Sequence, residues 1–421
     1  MIALVDVNNF YASCERMFNP AVNGKAIIVL SNNDGCAIAR SDEAKAIGIE
    51  MGAPAFLIHE LCKKNDVKVL SSNYTLYGSM SERVMHILRS FVPAIEVYSI
   101  DEAFLNLEGL KHIDLPSLAK RIRETVMSHT GLPVSIGIAG TKALAKMANR
   151  FAKKHHKETG VHVADTAQLI EEMLSKTRIG DVWGIGHQYQ KLLLTHDVKA
   201  AADFVKLPEE WIRKNMSVVG QRLYNELKGT ACFGWEEVSL PKKNICTARS
   251  FGNLITNFAD LQQAIAAHTS SCARKLRREN SCASKVHVFI ETNPHRGEDQ
   301  QYFTGVTIPL NVASNNTNEL IKFALWGLKK IFKPGYKYQR GGVMVLDLVP
   351  QQHIQLGLFD TKDREKDQRL SKALDEANQL FGKDVVRYGT QSYGEKWHLR
   401  AAQLSPKYTT QMSQIMTVNS S

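Results

Sequence analysis

Ile95-Glu-Val-Tyr-Ser-Ile-Asp-Glu-Ala-Phe104 sets two adjacent carboxylates, Asp101 and Glu102, between apolar residues on both sides. Carboxylates this deep in apolar sequence are costly unless they are paired or bound to a cation. Successive side chains of an uninterrupted strand point to opposite faces. Both carboxylates can therefore serve one metal site only if the chain bends, so the stretch predicts a hairpin with its tip near Ser99–Glu102. Taken alone, an Asp-Glu dipeptide reads as a solvated turn. Asp6 shifts that reading, because it ends the apolar run Ile2-Ala-Leu-Val5 and supplies a third carboxylate if the two strands are neighbours. Three carboxylates on hard Mg²⁺ ions that also hold substrate phosphates are the expected chemistry of phosphoryl transfer.

Working outward, strand-like runs near 2–7, 94–99, 103–107 and 133–138 surround helical periodicity near 74–91 and 115–129. The order is β, α, β, β, α, β, a split βαβ pattern in an α+β chain. Between its first strand and first long helix, Lys25–Leu30 and Cys36–Arg40 flank Asn32-Asn-Asp-Gly35, a strong hairpin-turn signal. Residues 20–73 thus read as a small grafted subdomain. After Asp165 the strands stop, and 166–235 read as short helices punctuated by Trp183-Gly-Ile-Gly186 and Val218-Val-Gly220. Pro241-Lys-Lys-Asn244 is a linker signal. Beyond it the βαββαβ order returns: strand 245–252, helix 258–278, strands 284–291 and 301–308, helix 315–331, strand 342–349. The last seventy residues are polar with mixed charge and are expected to fray beyond Tyr408.

The 421 residues are too many for one ordinary core, and 44% apolar with 23% charged residues is a globular composition. No apolar run reaches the ~18–20 residues of a membrane span. Asp6 interrupts the first hydrophobic stretch, so no signal peptide is expected. Seven cysteines, never spaced CxxC, argue against a disulfide framework or structural zinc and for a reduced, cytoplasmic setting. The formal net charge is +11, but residues 1–110 hold 9 Lys/Arg against 13 Asp/Glu, leaving +15 for the remainder. A small acidic zone in a basic chain suits a metal site acting on a polyanion held elsewhere. Near-average charge for a protein of this size is the blander explanation.

Residues 141–157 predict an amphipathic helix. Leu144, Met147, Ala148 and Phe151 form its buried stripe, while Lys142, Lys146, Arg150, Lys153 and Lys157 share the other face. Such a stripe is either a solvated face or one that meets phosphate. Asp181-Val-Trp-Gly-Ile-Gly186 resembles a helix-hairpin-helix, in which Gly184 and Gly186 let backbone N–H groups approach a DNA phosphate. Arg274, Arg277 and Arg278 fall on one face of the 258–278 helix, as a DNA-backbone grip or simply a wet face. The histidines show no metal-ligand spacing and are assigned no metal role.

Three motifs occur in family order: Asp6-Val-Asn-Asn-Phe-Tyr-Ala-Ser-Cys-Glu15, Tyr98-Ser-Ile-Asp-Glu-Ala-Phe104 and Gly137-Ile-Ala-Gly-Thr-Lys-Ala-Leu-Ala-Lys146. They resemble the Y-family of translesion DNA polymerases. Ser31-Asn-Asn-Asp-Gly-Cys-Ala-Ile-Ala-Arg40 and Leu404-Ser-Pro-Lys-Tyr-Thr-Thr410 are similar to the UmuC branch of that family. The resemblance spans essentially the whole chain. It implies a right-hand polymerase: a ferredoxin-like palm (1–19 and 74–165), small fingers (20–73), a helical thumb with helix-hairpin-helix (166–235), a βαββαβ little finger (243–350) and a tail (351–421). By position, Asp6, Asp101, Glu102 and the Val7 carbonyl would hold two Mg²⁺ ions, and Tyr11 would be the steric gate against a ribose 2′-hydroxyl. Lys45 and Lys153 match positions that hold the triphosphate, while Asp42 stands where other members place a tyrosine. Gln355-Leu-Gly-Leu-Phe359 resembles a sliding-clamp-binding peptide, with Gln355, Leu356, Leu358 and Phe359 as its contacts.

The partners implied are primer-template DNA and deoxynucleotides, a sliding clamp, a UmuD′-like dimer and a RecA-like filament. The activity implied is error-prone, template-directed nucleotide addition in the SOS response to DNA damage. A non-catalytic DNA-binding scaffold and another palm-like nucleotidyl transferase, such as a cyclase, are the competing classes.

Overall fold

Ile2–Val7 forms β1, the central strand of a five-stranded sheet, and its side chains divide between the two faces. Ile2 and Leu4 join one apolar cluster with Phe104 and Leu144, whereas Ala3, Val5 and Val7 join another with Tyr77 and Leu88. The computed structural model describes residues 1–110, 112–235, 241–355, 360, 362–382, 384–391, 397 and 399–416. The chain divides into two units, Met1–Ser239 with Ala402–Ser421, and Leu240–Ala401.

In the first unit β1 is followed by α1 (Phe10–Met17), β2 (Ile27–Leu30), β3 (Ala37–Arg40), α2 (Asp42–Ala46), α3 (Ala55–Lys64), β4 (Lys68–Ser71) and α4 (Tyr74–Arg89). Next come β5 (Ile95–Val97), β6 (Glu102–Asn106), α5 (Leu115–Thr130), β7 (Val134–Ala139), α6 (Lys142–His155) and β8 (Val161–Ala164). The large sheet has the order β5-β6-β1-β7-β8, with β1 antiparallel to both neighbours and β8 parallel to β7. The predicted hairpin forms between β5 and β6, pairing Val97 with Ala103. The fifth strand, β8, was not expected from the sequence. Its four residues, Val161–Ala164, are set between the polar runs His155–Gly160 and Asp165-Thr166, so little apolar pattern marks it.

The grafted subdomain is a separate sheet of order β3-β2-β4. At the β2–β3 turn, Asn33 and Asp34 adopt left-handed φ values of 62° and 53°, a conformation that Asn and Asp tolerate. The helical stretch continues with α7 (Ala167–Lys176), α8 (His187–Leu194), α9 (Ala201–Phe204) and α10 (Glu209–Leu227). α10 breaks its helical geometry at Ser217, just before Val218-Val-Gly220.

α6 packs on β7 at a position where no side chain fits. A Cβ on Gly137 would lie 2.0 Å from the Asn149 backbone nitrogen. The absent side chain lets the helix approach the sheet closely, and Thr141 caps its start by accepting from Leu144 N–H. The helix ends at His155, so Lys157 lies beyond it rather than on its basic face.

The second unit comprises β9 (Asn244–Ile255), α11 (Phe258–Arg278), β10 (Ser281–Thr292), β11 (Phe303–Ser314), α12 (Thr317–Ile331) and β12 (Tyr338–Pro350). Its antiparallel sheet has the order β11-β10-β12-β9, closed by a core that includes Phe251, Ile265, Val288, Leu328 and Val343. The strands run to 12 or 13 residues. That is longer than the sequence suggested, because their ends alternate with exposed polar residues that read as loop. The polar tail contains a helix not foreseen, α13 (Arg364–Phe381), whose only buried residue is Ser371. Among the described residues no helix is long and apolar enough to cross a membrane.

Candidate active site

The β1–β6 register sets Asp6 opposite Glu102, and the β1–β7 register sets Asp6 opposite Ser135. Residues 2, 4 and 6 share a face of β1, so Asp6 follows Leu4 toward α6 at the end of the strand. Two lysines of α6 meet these carboxylates. Lys146 Nζ lies 2.8 Å from Glu102 Oε2, and Lys153 Nζ contacts Asp6 Oδ1. Burial pushes the Asp6 carboxyl up to about 7; Lys153 pulls against that rise and neighbouring Glu102 adds to it.

Asp101 occupies the hairpin tip. Its carboxylate accepts from Ser99 Oγ at 2.5 Å, and the same Oγ accepts from the Asp101 and Glu102 N–H groups at 3.2 and 3.0 Å. The Asp101 carbonyl accepts from Val7 N–H at 2.9 Å, tying the tip to the end of β1. As arranged, no three His, Cys, Asp or Glu among the described residues form a group that could hold a metal ion. Asp6 and Glu102 are instead engaged by ammonium groups, and Asp101 by Ser99. The donor chemistry nonetheless fits a hard divalent cation: all the donors are oxygens, and two of the carboxylates are opposed in register, in a site where burial already makes the negative charge costly.

Tyr11 is half-buried on α1. Its ring stacks on Tyr77 with centroids 4.3 Å apart and 14° between planes, and Tyr74 meets it edge-on at 6.0 Å. Lys45 Nζ donates to Asn9 Oδ1 at 2.6 Å and to Asp42 Oδ1 at 2.9 Å, so Asp42 serves here as a partner of Lys45.

The basic stripe of α6 is resolved by the chain's own carboxylates. Lys142 is buried, bonded to both oxygens of Glu96 at 2.8 and 2.6 Å and to the Gly234 carbonyl at 2.6 Å. Arg150 and Lys154 both pair with Asp181. Lys142 is therefore not part of a solvent-facing stripe. Lys146, read from the sequence only as one lysine of the stripe, proves to be a functional candidate in its own right through Glu102. Besides Glu102, its ammonium lies 4.1 Å from the Tyr98 ring centroid and 5.1 Å from that of Trp183. Its place seven residues before Lys153 on one helix face was the available signal.

Gly186 is the N-cap of α8, where free backbone N–H groups gather, and Gly184, two residues earlier, adopts φ +88°. In the second unit, Arg277 makes a two-pronged pair with Asp375 of α13 at 2.6 and 2.8 Å, and Arg274 pairs with Asp384 at 3.0 Å. Both guanidiniums thus turn to carboxylates of the same unit. Gln355 is exposed, while Leu356, Leu358 and Phe359 lie outside the described residues.

Comparison with known proteins agrees across the chain. The impB/mucB/samB family model matches residues 5–150, and the model for that family's C-terminal domain matches 242–358. A domain of unknown function, DUF4113, matches 368–418. The protein UmuC of Salmonella typhimurium is 38% identical over 99% of this chain and 100% of its own. ImpB of Salmonella typhimurium is 39% identical over 99% of each. DNA polymerase IV of Desulfatibacillum aliphaticivorans is 28% identical over 92% of this chain and 95% of its own. A solved Y-family DNA polymerase chimera shares the fold, with a TM-score of 0.66 at 18% identity over 83% of this chain and 99% of that one. With the sheet, the opposed carboxylates and full-length similarity in agreement, the chain has the fold of a Y-family DNA polymerase and belongs to the impB/mucB/samB family.

Proposed function

We propose that this chain is the catalytic subunit of an error-prone translesion DNA polymerase, adding deoxynucleotides to a primer 3′ end during the SOS response to DNA damage. The observation that carries the reading is Asp6 set opposite Glu102 across β1 and β6, both facing the lysines of α6. In this reading the sheet of β5-β6-β1-β7-β8 is the palm, the β3-β2-β4 sheet the fingers, α7–α10 the thumb and the second βαββαβ the little finger.

Asp6, Asp101, Glu102 and the Val7 carbonyl would hold two Mg²⁺ ions. Bound there, the metal supplies Lewis acidity to the primer hydroxyl and neutralises the triphosphate. The chain's own residues do the rest. Lys153 and Lys45 present ammonium groups to the triphosphate, each now held by an anionic or amide oxygen that phosphate can replace. Lys146 fixes the Glu102 carboxylate, and the Tyr77-backed ring of Tyr11 fills the space beside a 2′-hydroxyl. Gly184 and Gly186 give backbone N–H groups to a DNA phosphate, with Arg278 as a further backbone contact. Gln355–Phe359 engages a sliding clamp, and the region beyond it a UmuD′-like dimer and a RecA-like filament, in the cytoplasm.

Nucleotide incorporation opposite an abasic site, measured with and without these partners, tests the reading. Incorporation under at least one combination supports it. None under any combination would favour a DNA-binding scaffold instead.

A further inference from the structure

The segment Ala402–Tyr408 belongs to the first unit, where it docks beside β4 and the start of α4. Ser71 N–H donates to the Gln403 carbonyl at 2.9 Å, and Gln403 N–H returns to Ser71 Oγ at 3.0 Å. Ala402 N–H donates to Asp34 Oδ2 at 2.9 Å. Asn73 Nδ2, buried at the N-cap of α4, is shared among the Ser405 carbonyl, Ser405 Oγ and the Pro406 carbonyl at 3.1, 2.9 and 3.1 Å. Tyr408 completes the seat by stacking on Phe18 at 4.9 Å with 9° between rings.

One contact reaches further. Ser405 Oγ donates at 3.0 Å to Glu15 Oε1, the same oxygen that accepts from Tyr77 OH at 2.7 Å. Glu15 is only 3% exposed, and a buried carboxylate held by neutral hydroxyls depends heavily on each donor. Burial accordingly pushes its carboxyl above the ordinary range. Glu15 and Tyr11 are four residues apart on α1, so both face α4, and the Tyr77 ring that Glu15 anchors is the one stacked on Tyr11.

We infer that the C-terminal segment is a positioning element for sugar selection: Ser405 holds Glu15, Glu15 holds Tyr77, and Tyr77 sets the ring of Tyr11. This rests on Tyr11 being the sugar gate. Ser405 is a positioning residue; it lies on an edge segment and loses one oxygen on substitution by Ala, so the core stays intact.

The test measures the ratio of deoxynucleotide to ribonucleotide incorporation by the full chain, with its partners, on an undamaged primer-template. Ser405→Ala should lower the ratio roughly 3- to 10-fold, the size of one hydrogen bond, chiefly by raising ribonucleotide use. Ser405→Thr, which keeps the hydroxyl, should restore it, and truncation after residue 401 should lower it at least as far as Ser405→Ala. Tyr11→Ala is run alongside. If it relaxes selection while Ser405→Ala and the truncation leave the ratio unchanged, the positioning role is wrong and the gate stands. If Tyr11→Ala itself changes nothing, the gate reading falls and takes this inference with it. An equal loss with both sugars in Ser405→Ala would also overturn it, by showing a merely structural role.

Discussion

Lys146 of α6 holds Glu102 of β6 at 2.8 Å, and seven residues on, Lys153 of the same helix holds Asp6 of β1. One helix face therefore supplies the cation for both opposed carboxylates. Lys146→Ala leaves a largely buried Glu102 without its ammonium partner. A charge-assisted hydrogen bond is worth about 1.5–3 kcal/mol, so kcat/KM for deoxynucleotide addition should fall about 10- to 100-fold. Steady-state kinetics on a primed template check this, and an unchanged kcat/KM would remove Lys146 from the site.

The seating of α6 depends on Gly137. A Cβ there would meet the backbone of Ala145, Ala148 and Asn149, none of which can rotate away as a side chain could. Gly137→Ala should destabilise the first unit by about 1–3 kcal/mol or more, and should weaken catalysis by moving Lys146 and Lys153 together. Chemical denaturation measures the first effect. A variant as stable as the parent would mean that the helix sits further from the sheet.

Arg277 ties α13 to the second unit through Asp375, and also donates to the Asn315 carbonyl at 2.9 Å and Thr317 Oγ1 at 3.0 Å. Arg277→Met should free α13, seen as faster proteolytic cleavage within 364–381, with a smaller change in DNA affinity. A large loss of DNA affinity with unchanged cleavage would assign the guanidinium to DNA.

His268 sits in the second unit's core, 3% exposed, near Trp397, and its Nε2 has no hydrogen-bond partner among the described residues. Burial lowers its pKa from 6.5 to about 3, helped by the positive charges of Arg249 and Lys275. The unfolded chain therefore takes up the proton first as pH falls below 6.5. Stability contributed by the neutral ring is complete above that pH and is lost toward pH 3, with a limiting slope of about 1.4 kcal/mol per pH unit. The gap in Tm between the parent and His268→Gln should narrow from pH 7 to pH 5. A constant gap would contradict the buried neutral ring.

Much of this was legible in the sequence where chemistry and local order coincide. Asp6 and Asp101-Glu102 stood out because carboxylates interrupt apolar runs, and the β5–β6 hairpin followed from the need to bend there. The two βαββαβ orders were visible in periodicity. The partners of the α6 lysines were not, because Lys142 finds Glu96 from 46 residues away and Lys153 finds Asp6 from 147. A basic stripe has the same sequence whether it meets solvent, phosphate or the chain's own carboxylates. α13 was missed because a helix with one buried residue leaves little apolar pattern. Ser405 on Glu15, 390 residues apart, has no local signature at all.

The most direct test of the carboxylate site compares Asp101→Asn with the parent in primer extension, beside primer-template binding by both and with the partner proteins present. The substitution preserves shape and removes one negative charge from the site. Extension should fall about 1,000-fold or more while DNA affinity stays within about threefold. Extension at the parental rate would contradict the assignment of Asp101 to the reaction.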